Sequence, residues 1–212
     1  MEQTILKNVI ITLSVMINNF LSLKNEIYRK IIHSTSILIP IIYIFIESNI
    51  FIVLITLSFF ITISINLSYN KKIFNITFLN KIFRTVLRPY ELSNLWGSTY
   101  MVLGFFIITL LFPKHIVIPA MFITAISDSS AAIIGMKYGK IILINNKTAE
   151  GLLAFTITSY ILLFFLSGNL NFLIIYMISF LTALIELFTP TRYDNISIPI
   201  GASILLLLSH LI

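Results

Sequence analysis

Asp128 is the residue best placed to do chemistry. It sits in Ile126-Ser127-Asp128-Ser129-Ser130, inside a long apolar run. A carboxylate at membrane depth is costly unless it is solvated, paired or bound to a metal, so such a residue points to a site. The bland alternative is an aspartate bonded to the neighbouring serine hydroxyls at a helix contact. The next candidate is Lys147-Thr148-Ala149-Glu150-Gly151. Thr148 suits an N-cap and Glu150 suits the first turn of the helix it opens. The free N–H groups of that helix start, with Lys147, also suit a phosphate. Glu26, Arg29, Lys30 and His33 recur at i, i+3, i+4 and i+7, which puts them on one helix face. A snorkelling interfacial ion pair would explain them equally well. Glu186, Asp194-Asn195 and the pair Arg88 and Glu91, followed by Gly97, complete the set. Taken together, acidic groups able to hold a divalent cation share one region with cations able to hold phosphates.

Between these groups, Ala131, Ala132, Gly135 and Gly139 keep one helix face small. Close helix packing explains this as readily as a face that admits a ligand. The run Gly135-Met136-Lys137-Tyr138-Gly139-Lys140 lacks the Gly-x4-Gly-Lys-Ser/Thr spacing of a P-loop.

The elements that must position these residues are apolar helices. Only 10% of the 212 residues are charged and 58% are hydrophobic. A soluble domain carries about 25% charged residues, so this composition excludes an ordinary water-soluble globule. Apolar runs of about 20 residues match the thickness of a hydrocarbon core. The expected fold is all-α: a polytopic transmembrane helix bundle of about 7–8 spans, plus one interfacial amphipathic helix. The spans are expected near residues 4–23, 27–46, 49–68, 92–112, 115–135, 150–167, 170–188 and 196–212. The first is the weakest, because it holds Lys7, Asn18 and Asn19, and an uncleaved signal-anchor is its alternative. From Lys72 to Arg88, apolar residues at helical spacing alternate with cations, the pattern of a helix lying in the interface.

No linker divides the chain, so residues 1–212 read as one integral membrane domain. Without cysteine there is no disulfide or thiolate chemistry. Twelve of the fourteen Lys and Arg residues fall in loops on one side of these spans. By the positive-inside rule that side is cytoplasmic. The net charge of +6 therefore reads as orientation in a bilayer and not as nucleic-acid binding.

The run Asp128-x-x-Ala131…Gly135-x-x-x-Gly139-Lys140…Lys147-Thr148-x-Glu150-Gly151 resembles the central signature of the dolichol kinase, phytol kinase and CTP-dependent diacylglycerol kinase family. Glu26-x-x-Arg29-Lys30-x-x-His33, Arg88-x-x-Glu91 with Gly97, and Glu186…Asp194-Asn195-x-x-x-Pro199 are similar to further segments of it, in the same order, over residues 26–200. The resemblance implies transfer of the terminal phosphate of CTP to the hydroxyl of a membrane lipid, with Mg²⁺ or another divalent cation. The acceptor would be an isoprenoid alcohol of the phytol or polyprenol type, or diacylglycerol. The short chain is similar to compact bacterial members, which implies a multi-pass protein of the inner membrane whose site faces the cytoplasm.

Phosphoryl transfer needs positioning and charge neutralisation above all. On this reading Asp128, Lys147, Glu150 and His33 are catalytic. Arg29, Lys30, Arg88, Lys137, Lys140, Gly135, Gly139 and Gly151 bind the nucleotide or its phosphates. Asp128, Glu186 and Asp194 hold the metal. The related phosphatidate cytidylyltransferases are the alternative, but their Gly-His-Gly-Gly and Asp-Arg-x-Asp runs are absent. A transporter is a further alternative, disfavoured because polar residues gather toward one end of most spans.

Overall fold

The structure, a computed structural model, describes residues 26–71, 87, 91, 93–168 and 170–209. The expected first span, 4–23, and all but Leu87 of the expected interfacial helix over 72–88 lie outside the described residues, as does Arg88. Seven helices run through the described residues. They are α1 (Glu26–Phe45), α2 (Ser48–Asn70), α3 (Gly97–Leu111), α4 (Lys114–Tyr138), α5 (Ala149–Leu166), α6 (Phe172–Phe188) and α7 (Asp194–Ser209). Among the described residues the only strand-like feature is an isolated antiparallel bridge between Ile142 and Thr148.

Four of these helices, α1, α2, α4 and α5, are long and apolar enough to cross a membrane. The expected spans over 92–112 and 170–188 are shorter than the sequence suggested, and the one over 196–212 begins two residues earlier, at Asp194, and is described as far as Ser209. They fold as helices of 15, 17 and 16 residues. At about 1.5 Å per residue, the 15 residues of α3 extend about 22 Å. The late start of α3 has a physical cause. Buried Asn66 of α2 accepts a hydrogen bond from the Trp96 N–H at 3.1 Å and donates to the Asn94 carbonyl at 3.2 Å. Asn70 donates to the same carbonyl at 3.1 Å. Those bonds hold the chain extended at Trp96, so the helix begins at Gly97, where the Glu91 carboxylate accepts the first free N–H at 2.6 Å.

α4 is the central helix: 72% of its apolar window is buried, against 17–33% for α1, α2 and α5. It packs against α1, α3, α5 and α7. Phe105 and Ile108 of α3, Val117 and Met121 of α4, Phe155 of α5 and Ile198 of α7 form the buried centre. Outward faces are apolar as well. Phe45, Phe165 and Leu111 are 83%, 76% and 69% exposed. Apolar surface of this extent suits hydrocarbon rather than water.

α4 is not uniform along its length. After Pro119, which cannot donate its backbone hydrogen bond, Ile123–Ser127 widens into a π-helical turn. Such insertions are frequent at functional sites. This one ends immediately before Asp128. α3 and α7 cross so closely that a Cβ built on Gly104 would lie 2.6 Å from the Asn195 carbonyl oxygen and 3.0 Å from Pro199. Gly104→Ala should therefore force the two helices apart, at a cost of about 1–3 kcal/mol. A lowered midpoint of thermal unfolding in detergent is the expected result, and an unchanged midpoint would contradict the tight crossing.

Candidate functional site

The chemistry-capable residues meet at one end of the bundle. Asp128 from α4, Glu186 from the last turn of α6 and Asp194 from the first turn of α7 are all buried. One carboxylate oxygen of each lies within 4.8 Å of the others. Two ammonium groups face them. Lys30 of α1 reaches Asp128 Oδ2 at 2.5 Å. Lys147 reaches Glu186 Oε1 at 2.9 Å and Asp194 Oδ1 at 3.0 Å. With all three carboxylates ionised they outnumber the two lysines by one, a surplus that a bound cation or a proton held on one carboxyl group would remove. Burying an unbalanced charge is costly, so the arrangement suits one or the other.

Lys147 arrives by a route that spacing alone did not suggest. Residues 141–149 fold back in a tight hairpin. Leu143 N–H donates to the Lys147 carbonyl at 2.7 Å, and Lys147 N–H to the Ile144 carbonyl at 3.0 Å. The two central residues, Asn145 and Asn146, take φ of 56° and 60°. Positive φ at both positions defines a type I′ turn, and asparagine tolerates it better than most residues. The Asn145 side chain then donates to the carbonyls of Leu187 and Phe188 at 3.3 and 3.2 Å. Lys147 donates to those of Glu186 and Thr189. The hairpin thus satisfies the carbonyls left open at the C-terminus of α6, where a cation is favoured. The signal for this turn is the Asn-Asn pair between Ile144 and Lys147.

His33 lies beside Asp128, its Nε2 3.9 Å from Oδ2. The ring is fixed from both sides, by Asn195 Oδ1 at 2.9 Å and Ser129 Oγ at 3.3 Å. Asn195 also donates to the Gly97 carbonyl at 2.8 Å. It therefore ties α7 to α3 and orients His33, a role the sequence did not reveal beyond its place next to Asp194.

Two cavities converge on this cluster and share Lys30, Asp128 and Asp194. The larger, about 310 Å³, is lined by Lys147, Glu186, the small face Ala131, Ala132 and Gly135, and the start of α5. Thr148 caps that helix, accepting from Gly151 N–H at 3.1 Å. A Cβ at Gly151 would stand 3.0 Å from the Ala131 carbonyl, so the glycine lets α5 approach α4. The smaller cavity, about 150 Å³, is lined by Arg29, His33, Glu91, Trp96 and Met101 among others. Arg29 also pairs with Glu26 at 2.6 Å.

Other expected residues lie outside both cavities. Lys137 and Lys140 are exposed, and Lys137 lies 5.1 Å from the centre of the Tyr138 ring. Glu150 turns away from the cluster and accepts the Lys140 N–H at 2.9 Å, which fixes the start of the hairpin. Gly139 packs against Thr148.

Removing Lys147 leaves Glu186 and Asp194 buried without their shared cation. Lys147→Ala should destabilise the fold by about 3–5 kcal/mol. Thermal unfolding would report it, and adding Glu186→Gln with Asp194→Asn should recover most of the loss. Full stability of the single variant would show that the lysine does not hold this end together.

No family model and no solved structure matches the chain. One curated protein does: the uncharacterized protein RP860 of Rickettsia prowazekii (strain Madrid E) is 33% identical over 188 residues, which span 82% of this chain and 89% of the relative. At that identity and coverage, the chain belongs to the same protein family as this rickettsial protein.

Proposed function

We propose that this chain is an integral membrane lipid kinase. It would transfer the terminal phosphate of a nucleotide, CTP by the sequence resemblance, to the hydroxyl of an isoprenoid alcohol or diacylglycerol. The observation that carries the reading is the convergence of three buried carboxylates and two lysines on a cavity large enough for a polyphosphate. Phosphoryl transfer asks a protein mainly for positioned charge. A site at one end of an apolar bundle also lets a soluble nucleotide and a bilayer-bound alcohol meet.

On this reading the helices form a multi-pass bundle in a bacterial inner membrane. The site end faces the cytoplasm, in keeping with the basic residues of its loops. Asp128, Glu186 and Asp194 would hold a divalent cation. Their donor set is all oxygen, which fits a hard ion such as Mg²⁺. The ion would offset charge on the phosphates. Lys147, Lys30 and the capped start of α5 bind the phosphoryl oxygens. The alcohol oxygen forms its bond to the terminal phosphorus as the bond from phosphorus to the bridging oxygen breaks. The electron pair leaves with the nucleoside diphosphate. The alcohol's proton passes to the Asp128 carboxylate.

Asp128→Asn should lower phosphate transfer by about a hundredfold or more with membrane insertion undisturbed; because it also removes the charge partner of Lys30, transfer is compared at a temperature below the variant's own unfolding midpoint. The assay uses purified protein, Mg²⁺, terminally labelled CTP or ATP, and a panel of lipid alcohols, and reads label in the organic phase. Near-normal turnover by Asp128→Asn would overturn the assignment. A nucleotide-linked lipid with released pyrophosphate would identify a cytidylyltransferase instead.

A further inference from the structure

We propose that the hairpin joining α4 to α5 docks on the membrane. Its outer strand, residues 141–144, sinks into the headgroup layer of the leaflet at the site end, and Lys137 and Lys140 hold it there on anionic lipid. The inference rests on the helices crossing a bilayer and is independent of the kinase reading.

The outer strand is apolar and uncovered. Ile141, Ile142, Leu143 and Ile144 are 60%, 72%, 38% and 48% exposed. Such a run facing water is a liability unless it has a use. The inner strand is committed to the bundle instead. Lys147 meets the carboxylates, and Thr148 packs on Gly135 and Gly139. The hairpin is also pinned across the end of the bundle. Ala149 N–H donates to the Ile141 carbonyl at 2.9 Å at the start of α5, and Asn145 reaches the last turn of α6.

Three observations favour lipid as the cover. The first is continuity. α5 carries its own uncovered apolar row, Leu153, Ile157 and Ile161, at four-residue spacing and 49–60% exposed. The bond to Ala149, one turn before Leu153, sets Ile141 at the head of that row. A face that meets hydrocarbon along α5 therefore runs on into the hairpin. The second is the backbone. Open N–H groups are costly near hydrocarbon. The Glu150 carboxylate accepts the Lys140 and Ile141 N–H groups at 2.9 and 3.4 Å, and Leu143 N–H bonds across the hairpin to Lys147. In water those groups would need no such partners. The third is charge. No Asp or Glu occurs between Asp128 and Glu150, and the exposed ionisable groups there are Lys137, Lys140 and Tyr138. Lys137 lies 5.1 Å from the centre of the Tyr138 ring, a pairing of long cation and aromatic ring that suits the headgroup layer. A basic and apolar surface matches an anionic leaflet. Because Lys147 belongs to the same hairpin, lipid that seats the outer strand also steadies this lysine among the carboxylates.

The chain has no cysteine, so a single introduced one takes a label alone. Nitroxide labels at Ile142→Cys and at Ile157→Cys are compared in full-length protein, in nanodiscs of phosphatidylcholine with phosphatidylglycerol. Collisions with oxygen, which concentrates in hydrocarbon, and with a water-soluble nickel chelate report depth. Oxygen should dominate at both positions. The chelate dominating at Ile142 while oxygen dominates at Ile157 would overturn the proposal. So would a label at Ile142 shielded from both, or broadened by a second label in nanodiscs holding two copies, since protein would then cover the strand. The chelate dominating at Ile157 as well would overturn the membrane reading and the proposal with it. Hydrogen exchange at Leu143, Lys147 and Ala149 tests the lipid class. Phosphatidylglycerol should slow it about threefold or more relative to phosphatidylcholine alone, and Lys137→Gln with Lys140→Gln should remove the difference. Exchange indifferent to phosphatidylglycerol, or a difference that survives the double variant, would overturn docking on anionic lipid through these lysines.

Discussion

Electrostatic balance among buried groups organises this molecule. Asp128 lies in the central helix, in surroundings where an ionised carboxylate is expensive. Its neutralisation recruits Lys30 from α1. The neighbouring Glu186 and Asp194 recruit Lys147 from the hairpin. One charge cluster therefore fixes the relative positions of α1, α4, α6, α7 and the α4–α5 connection. The apolar core packs these helices without choosing among many similar registers, because Ile, Leu and Phe fit one another in several ways. The charged contacts admit far fewer.

The helices and the clustering of polar residues at one end were legible in the sequence. Long apolar runs and the Thr148 cap follow from local rules that the structure obeys. The membership of the site was legible only in part. Successive residues turn by about 100° around a helix. Gly135, seven residues after Asp128, is thus about 20° from it and lines the same cavity. Lys137, nine residues on, is about 180° away and points outward. Periodicity could have separated these two. Sequence could not reveal the partners supplied by other helices, such as Asn195 for His33 or Lys30 for Asp128, because nothing local encodes a contact across 98 or 162 residues.

Helix lengths failed for a related reason. The expected span was carried across the polar pair Ser93-Asn94, yet hydrogen bonds with α2 hold that stretch outside the helix. Buried Asn66 and half-buried Asn70 at the end of α2 set the boundary of α3, and such a tertiary constraint overrides local propensity. The same economy recurs at Glu91, whose carboxylate finishes what Asn66 starts by taking the Gly97 N–H.

The Lys147 ammonium has more suitors than protons. It lies within about 3 Å of five oxygens, two from Asp194, one from the Glu186 side chain, and the carbonyls of Glu186 and Thr189, yet it owns three N–H bonds. Any anion that claims one of those protons must take it from an acceptor already in place. Occupancy of the larger cavity and integrity of the last turn of α6 thus draw on one shared supply of donors, so filling the one loosens the other.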